Sequence, residues 1–190
     1  LMEGLSYEAA SLAGAWKLGK LIVIYDKNDI TIEGGIGGVF DDDVKSRFEA
    51  QGWQVIDAGC GEDTDAFGAA VTLAKADTER PSLIIVHTVI GHGSSKAGSA
   101  SCHGAPLGED VLADMKAAMG WKQPPFTAHP GAAGFTAEVK ARGAKATGEW
   151  NKLMRAYKAA YPELHAELTR RIKGKFPDLA HDEELSLIHI

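Results

Sequence analysis

Hydrophobic positions in the first ninety residues follow two alternating patterns. Helical patterns, one of them with an acidic first turn, predict helices at residues 3–17, 41–49 and 63–76. Between them, short apolar or β-branched runs predict strands at residues 21–25, 53–57 and 82–89. The first and third runs lack polar alternation, which is typical of strands buried on both faces of a sheet. This order predicts an α/β fold, with a parallel sheet flanked by helices.

The pattern changes after residue 90. Residues 91–108 are rich in Gly and Ser without periodicity, which predicts a long loop of a kind that is usually functional or mobile. A short helix at 109–118 and a largely helical stretch at 135–173, interrupted at Pro162, are predicted to follow.

The two ends of the chain suggest a fragment of a longer protein. The sequence enters a helical pattern at residue 1 without a start methionine. We expect a linker to begin at residues 178–184. The last six residues, 185–190, match no preceding period, and we expect them to be a translated sequencing adapter. The alternative for those six residues is a short hydrophobic strand.

Composition limits the classes of function. Of the 190 residues, 45% are hydrophobic and 24% charged, as in a folded globular domain. The 20 Lys and Arg against 26 Asp and Glu leave a net charge of −6, which argues against a nucleic-acid partner. No apolar run is long enough for a membrane span, so no membrane partner is expected. Cys60 and Cys102 form neither a disulfide framework nor a zinc spacing, so we expect a reduced, cytoplasmic location.

Ligands of open parallel sheets bind beyond the carboxyl ends of the strands, and the turn after the first strand is one such place. Asn28 offers an amide oxygen there, and Ile30 offers a backbone carbonyl. Oxygen donors of this kind suit Mg²⁺ when phosphate oxygens complete its coordination. The alternative is an Asn-Asp turn that starts a hairpin and binds nothing, and composition alone favours that alternative.

The glycine-rich loop after the third strand is the other such place, with His92 and His103 among small residues. Glycines let a backbone approach a ligand closely, and an imidazole exchanges protons near neutral pH. Taken alone, each histidine is more simply an exposed loop residue. A thiol nucleophile at Cys102 is rejected because adjacent side chains point apart and no third group orients the thiol. His87, within the third strand, is expected to be packed.

Several motifs in these segments resemble the transketolase family in order and spacing. Residues 1–14 are similar to the stretch after the family's Gly-Asp-Gly, and Leu18-Gly-Lys-Leu-Ile-Val-Ile-Tyr-Asp-Lys-Asn-Asp-Ile-Thr-Ile-Glu-Gly34 is similar to the closing half of its thiamine-diphosphate motif. Ile90-Gly-His-Gly-Ser94 and His103-Gly-Ala-Pro-Leu-Gly108 resemble its later signature. The resemblance covers residues 1–177 and implies the diphosphate-binding domain of that family, with the thiamine-diphosphate-binding fold.

The resemblance also implies roles for individual positions. Transketolases hold thiamine diphosphate through a divalent cation, usually Mg²⁺ or Ca²⁺, and the matching ligands here are the Asn28 side chain and the Ile30 carbonyl. Ile32 and Ile90 match apolar positions beside the thiazolium ring of the cofactor. His103 matches the histidine that faces the cofactor and the reacting carbon, where it moves protons on the sugar hydroxyls.

The implied activity is transfer of a two-carbon ketol unit from a ketose phosphate to an aldose phosphate, in the pentose phosphate pathway or the Calvin cycle. The family works as a homodimer with its active site at the subunit interface, where Glu3 and Glu8 match acidic positions. The Asp of Gly-Asp-Gly, a further cation ligand, and the pyrimidine-binding domain are absent from this sequence. We therefore expect the chain alone to be inactive.

Three alternatives stay open at this point. Dihydroxyacetone synthase, deoxyxylulose-phosphate synthase and phosphoketolase share the cofactor, although His103-Gly-Ala-Pro-Leu107 favours transketolase or dihydroxyacetone synthase. A second alternative is the N-terminal subunit of a naturally split enzyme. The third, from another class, is a non-catalytic metabolite-binding module, against which the presence of both Asn28 and His103 weighs.

Overall fold

The computed structural model describes residues 4–176, within two compact units, Leu1–Lys122 and Gln123–Ile190. The helices and strands described in the first unit are, in chain order, α1 (Leu5–Ala15), β1 (Ile22–Lys27), α2 (Val44–Ala50), β2 (Gln54–Cys60), α3 (Thr64–Ala76), β3 (Ser82–His87) and α4 (Glu109–Ala118). The predicted order of helices and strands is confirmed. β1 and β2 extend further than predicted, whereas β3 ends earlier.

The three strands form one parallel sheet in the order β1-β3-β2, which confirms the predicted fold class. Ile22 of β1 and Gln54 of β2 both align with Ser82 of β3. The central strand, β3, is buried along five of its six residues, as its apolar run predicts. The prediction that β1 is buried on both faces is wrong for the described residues, because β1 is an edge strand of this sheet and Ile24 is 53% exposed.

One face of the sheet packs against α1 and α2 around Trp53. Its side chain is 3% exposed, its indole N–H donates to the Ala10 carbonyl at 2.8 Å, and its ring meets that of Phe48 edge-on at 5.2 Å. Leu83 and Ile85 of β3 complete this cluster. The hydrogen bond satisfies the polar end of the indole, so the large side chain is buried without an unpaired donor.

The opposite face packs against α3 through small residues. Ala70 and Ala74 of the helix contact Ile84 and Val86, which alternate along β3 with the residues of the first cluster. Alanines leave little side chain between the helix axis and the sheet, so α3 lies close to the strands. The two clusters pack against opposite faces of β3, so the position of its carboxyl end is fixed by the core.

Side-chain caps explain where two of the helices begin. The Asp43 carboxylate accepts the Ser46 N–H at 3.0 Å, and the Asp63 carboxylate accepts the Ala66 N–H at 2.9 Å. α2 therefore starts at Val44 rather than at Asp41 as predicted, because Asp43 acts as its cap.

The second unit is helical over most of its described length, in α5 (Ala132–Ala160) and α6 (Pro162–Ile172). The predicted interruption at Pro162 is confirmed, and the proline occupies the first turn of α6, where its missing N–H costs nothing. Among the described helices, none combines the length and apolar character needed to cross a bilayer. The predicted linker and adapter, residues 178–190, lie outside the described residues.

Candidate functional site

The carboxyl ends of β1 and β3 lie side by side because the two strands are parallel neighbours. The Thr88 N–H, just beyond β3, donates to the Lys27 carbonyl at 3.1 Å, and the Thr88 hydroxyl donates to the Asp26 carboxylate. These bonds join the two strands at their last residues. The turn after β1 and the loop after β3 therefore start from one fixed point, as expected for a ligand site at the edge of a parallel sheet.

The turn after β1 is closed by its own side chains. The Asn28 amide oxygen accepts the Ile30 N–H at 3.1 Å, and the Lys27 ammonium lies 2.8 Å from the Asp29 carboxylate. Asp29 has a φ of 58°, a left-handed conformation that a short Asx side chain tolerates. An isolated antiparallel bridge between Ile30 and Gly35 follows. The Asn-Asp turn and hairpin considered from the sequence thus describe this backbone correctly.

The same turn leaves donors that fit a divalent cation. An amide oxygen has two lone pairs, so Asn28 keeps one after accepting the Ile30 N–H. The two hydrogen bonds of the bridge run from the Ile36 N–H to the Asp29 carbonyl and from the Thr31 N–H to the Gly34 carbonyl, so they do not use the Ile30 carbonyl. The Asn28 amide oxygen and the Ile30 carbonyl oxygen are hard donors, which Mg²⁺ and Ca²⁺ prefer. Residues 4–176 contain no group of three or more His, Cys, Asp or Glu that could hold a metal, so a cation here needs further oxygens from its ligand or from residues outside that range.

A cavity of about 670 Å³ lies beside this turn. Its lining includes both apolar and polar residues, and comprises Ile24, Tyr25, Asp26, Asn28, Asp29, Ile30, Thr31, Ile36, Val39 and Phe40. Burial raises the pKa of the Tyr25 phenol above its usual value of 10.0. The structure thus brings Asn28 and Ile30 together at one cavity. Ile32 does not line it, and its side chain is 68% exposed at the tip of the hairpin.

The loop after β3 carries two more of the predicted site residues. The carbonyl of Ile90, a half-buried residue, accepts the Gly98 N–H at 2.8 Å. His103 follows a single 3₁₀ turn at Ala100–Cys102 and is exposed, with its backbone N–H donating to the Ala100 carbonyl at 2.9 Å. An exposed imidazole on an ordered loop is available to a ligand.

The other two histidines of this region differ from His103 because each has a carboxylate partner. His92 Nδ1 lies 3.5 Å from Glu62, and His87 Nε2 lies 3.1 Å from Asp57. The prediction that His87 is packed is wrong, because β3 ends at this residue and the side chain is exposed. The pKa of the Asp57 carboxyl is lowered first by the Gly59 N–H, which it accepts at 2.8 Å, and next by His87.

Two residues that organise this edge were missed by the sequence analysis. Thr88 joins the ends of β1 and β3, and Lys96 donates from its side chain to the Leu107 carbonyl at 2.8 Å across the long loop. The position of Thr88 directly after a buried strand is a signal that could have found it. Nothing in the local pattern around Lys96 distinguishes it from an exposed loop lysine.

Comparison with known proteins identifies the family to which the chain belongs. Residues 1–177 match the family described as "Transketolase, thiamine diphosphate binding domain". The chain is 50% identical over 178 residues to transketolase 2 of Aliivibrio fischeri, covering 93% of this chain and 26% of that protein. It is 46% identical over 189 residues to the chromosomal transketolase of Cupriavidus necator, covering 99% of this chain and 28% of that protein.

Solved structures agree with the sequence relatives. A crystal structure of a Pichia stipitis transketolase in complex with xylulose 5-phosphate superposes with a TM-score of 0.85 at 38% identity, covering 93% of this chain and 26% of that one. A Leishmania mexicana transketolase gives a TM-score of 0.86 at 36% identity, covering 93% and 27%. The chain spans about a quarter of the length of these relatives. It belongs to the transketolase family, as the N-terminal domain that binds thiamine diphosphate.

Proposed function

We propose that the complete protein containing this chain is a transketolase that transfers a two-carbon ketol unit from a ketose phosphate to an aldose phosphate. The observation that carries the proposal is the Asn28 turn, where two residues with oxygen donors, Asn28 and Ile30, line one cavity at the carboxyl edge of the sheet. Substrates of this class are supported by the Pichia stipitis transketolase structures, which are complexes with xylulose 5-phosphate, fructose 6-phosphate and sedoheptulose 7-phosphate.

In this proposal the Asn28 amide oxygen and the Ile30 carbonyl hold Mg²⁺, Ca²⁺ or another divalent cation. The Asn28 side chain is fixed by the Ile30 N–H, so the donors need little reorganisation to bind a cation. Both donors are neutral, so they leave the charge of the cation to be balanced by the diphosphate. When bound, thiamine diphosphate supplies the electron sink for the reaction.

The remaining site residues contact the cofactor or transfer protons. Ile32 and Ile90 contribute apolar surface beside the cofactor ring, and the exposure of Ile32 leaves its side chain accessible to such a contact. His103 transfers protons to and from the hydroxyls of the sugar phosphate, for which an imidazole on an accessible loop is suited.

The proposal extends to domain organisation, assembly and location. Residues 1–177 form the diphosphate-binding domain, and the complete protein is a homodimer with its active site at the subunit interface. Glu8, exposed in the first turn of α1, contributes to that interface, and Glu3 lies outside the described residues. The net charge of −6 supports partners other than nucleic acid, and the chain's composition supports a cytoplasmic enzyme.

The cation role is tested by binding of thiamine diphosphate to the complete protein, followed by quenching of tryptophan fluorescence at several Mg²⁺ concentrations. Asn28→Ala removes one ligand, so we expect at least about 10-fold weaker binding of the cofactor, partly restored by excess Mg²⁺. Asn151→Ala, on the exposed surface of α5, is the matched control and should bind as the unaltered protein does.

Unchanged affinity in the Asn28→Ala protein would remove the assigned cation role. Activity is measured separately, with a ketose phosphate donor and an aldose phosphate acceptor. A protein that binds the cofactor tightly but transfers no ketol unit would contradict the proposed activity and favour a non-catalytic binding module.

A further inference from the structure

Lys96 is the centre of the hydrogen bonds in the long loop after β3. Its ammonium group donates to the Leu107 carbonyl at 2.8 Å. Its own backbone carbonyl accepts the Cys102 thiol at 3.2 Å and the Ser99 hydroxyl at 2.8 Å. One residue therefore contacts the loop on both sides of His103, at Cys102 immediately before it and at Leu107 four positions after it.

We propose that Lys96 is a positioning residue that holds the loop carrying His103 in its working conformation. The inference rests on the proposed function, in which His103 transfers protons, and it adds a residue that does not itself touch the substrate. Without the two contacts, the segment from Cys102 to Leu107 is attached mainly through its ends, since the described loop contains one 3₁₀ turn and no strand.

The chemistry of the contact suits a tether. A hydrogen bond from an ammonium group to a carbonyl is charge-assisted and stronger than a bond between neutral groups. The side chain of Lys96 is half-buried, so water competes less for the ammonium than at an exposed lysine. Among the described residues Lys96 takes part in no ion pair, so its side chain is committed to the backbone of its own loop.

A tight contact anchors this arrangement to the start of the loop. A Cβ atom at Gly91 would lie 2.5 Å from the Cys102 sulfur, so only glycine permits the thiol to reach its place beside the Lys96 carbonyl. Gly91 also has a φ of 67°, which favours glycine independently. Gly91, Cys102 and Lys96 are thus linked by direct contacts, so the residue before His103 is held against the start of the loop.

The test uses the complete protein with three variants. Lys96→Met keeps most of the apolar stem and removes the donor, whereas Lys96→Arg keeps a charged donor. Lys75→Met, on the exposed surface of α3, is the matched control for loss of one lysine charge. For each protein kcat, cofactor affinity, melting temperature and amide hydrogen exchange of residues 91–108 are measured.

Lys96→Met should lower kcat about 10- to 100-fold, because small displacements of a catalytic group have effects of that size. Cofactor affinity should stay within about 2-fold, since His103 and not the cation turn is displaced. Amide exchange at Gly98 and His103, both hydrogen-bonded within the loop, should become faster. Lys96→Arg should recover most of kcat, and Lys75→Met should resemble the unaltered protein.

A fall in kcat accompanied by an equal loss of cofactor affinity and a lower melting temperature in both Lys96 variants would overturn the inference in favour of a general structural role. Unchanged kcat and unchanged exchange in Lys96→Met would also overturn it. If the unaltered protein transfers no ketol unit, the proposed function fails by itself. Faster exchange confined to residues 91–108 would still support the tether in that case.

Discussion

The hydroxyl of Thr88 donates a hydrogen bond to the carboxylate of Asp26, across 62 positions of sequence and at the point where β1 and β3 end together. The backbone N–H of Thr88 donates to the Lys27 carbonyl at the same place. One residue therefore adds a side-chain bond to a main-chain bond that already joins the strands. The Asn28 turn begins directly after this junction, so its position depends on how firmly the strands are joined.

We expect Thr88→Val to lower the free energy of unfolding by about 1 to 2 kcal/mol. The substitution keeps the β-branched shape and removes only the hydroxyl. A typical hydrogen bond contributes about 0.5 to 1.5 kcal/mol and one to a charged group about 1.5 to 3, and the Thr88 bond is exposed to water. Urea unfolding gives the value, with an unchanged m-value showing that the same surface is exposed. Thr72→Val, whose hydroxyl bonds within α3, is the control and should change stability by less than about 0.5 kcal/mol. Equal effects of the two substitutions would contradict a special role for Thr88.

Gly14 in α1 lies against the backbone of the turn after α2. A Cβ atom at this position would lie 1.8 Å from the Gln51 carbonyl oxygen, and backbone cannot move aside as a flexible side chain can. We expect Gly14→Ala to cost about 3 kcal/mol, at the upper end of usual overpacking effects. Thermal and urea unfolding measure the loss.

Gly68 in α3 provides the opposite case in the same unit. No atom outside its local backbone lies within 4 Å of a Cβ built there, so Gly68→Ala should stabilise the protein by about 0.5 to 1 kcal/mol through helix propensity alone. If Gly14→Ala stabilised the protein as Gly68→Ala does, α1 would not be packed against the turn at Gln51.

The sequence predicted the positions of the strands better than it predicted the burial of their residues. The apolar run at Leu83–Val86 identified the central strand correctly because burial on two faces removes polar alternation. The same reasoning failed for Ile24, because whether a strand is central or at an edge depends on pairing and not on the strand itself. His87 was misplaced for a related reason, since a shift of two residues in the end of β3 turns a buried position into an exposed one.

Candidate site residues were predictable where a local turn creates them. The Asn28 turn is a contact between residues two apart, so the sequence contained all of its determinants. The Lys96 tether and the Thr88 bond join residues 11 and 62 positions apart, and nothing in a local pattern specifies those partners. Their detection required the fold.

The Asp57 carboxylate gives stability a pH dependence with a defined sign. Its pKa lies below the ordinary value of 3.8, first because it accepts the Gly59 N–H and next because of His87. A group whose pKa is lowered by folding stabilises the protein above its unfolded pKa, and this contribution is lost as the pH falls through the folded value. We expect unaltered protein to lose stability below pH 3.8 partly for this reason.

Asp57→Asn removes that titration. The variant should be less stable than the unaltered protein at neutral pH, and the difference should shrink as the pH falls below 3.8, as measured by urea unfolding across this range. His87→Gln should raise the pKa of Asp57 only part of the way, because the Gly59 N–H remains; carboxyl NMR titration measures this. A pKa that returns fully to 3.8 in His87→Gln would contradict the larger role of the backbone bond.

His103 and His92 occupy the same loop but face different surroundings, and this difference predicts which of them takes part in proton transfer. His92 lies 3.5 Å from the Glu62 carboxylate, whereas the structure records no carboxylate within ion-pair distance of His103 among residues 4–176. His103→Asn in the complete protein should lower kcat about 10²- to 10⁴-fold, the usual range for loss of a general acid or base. Affinity for thiamine diphosphate should change far less, because the proposed cation ligands lie in the turn after β1.

His92→Asn is the matched control and should reduce kcat by less than about 10-fold. Steady-state kinetics with a ketose phosphate and an aldose phosphate, together with the fluorescence titration of the cofactor, separate the two quantities. A larger loss of kcat in His92→Asn than in His103→Asn would reverse the assignment of the two histidines.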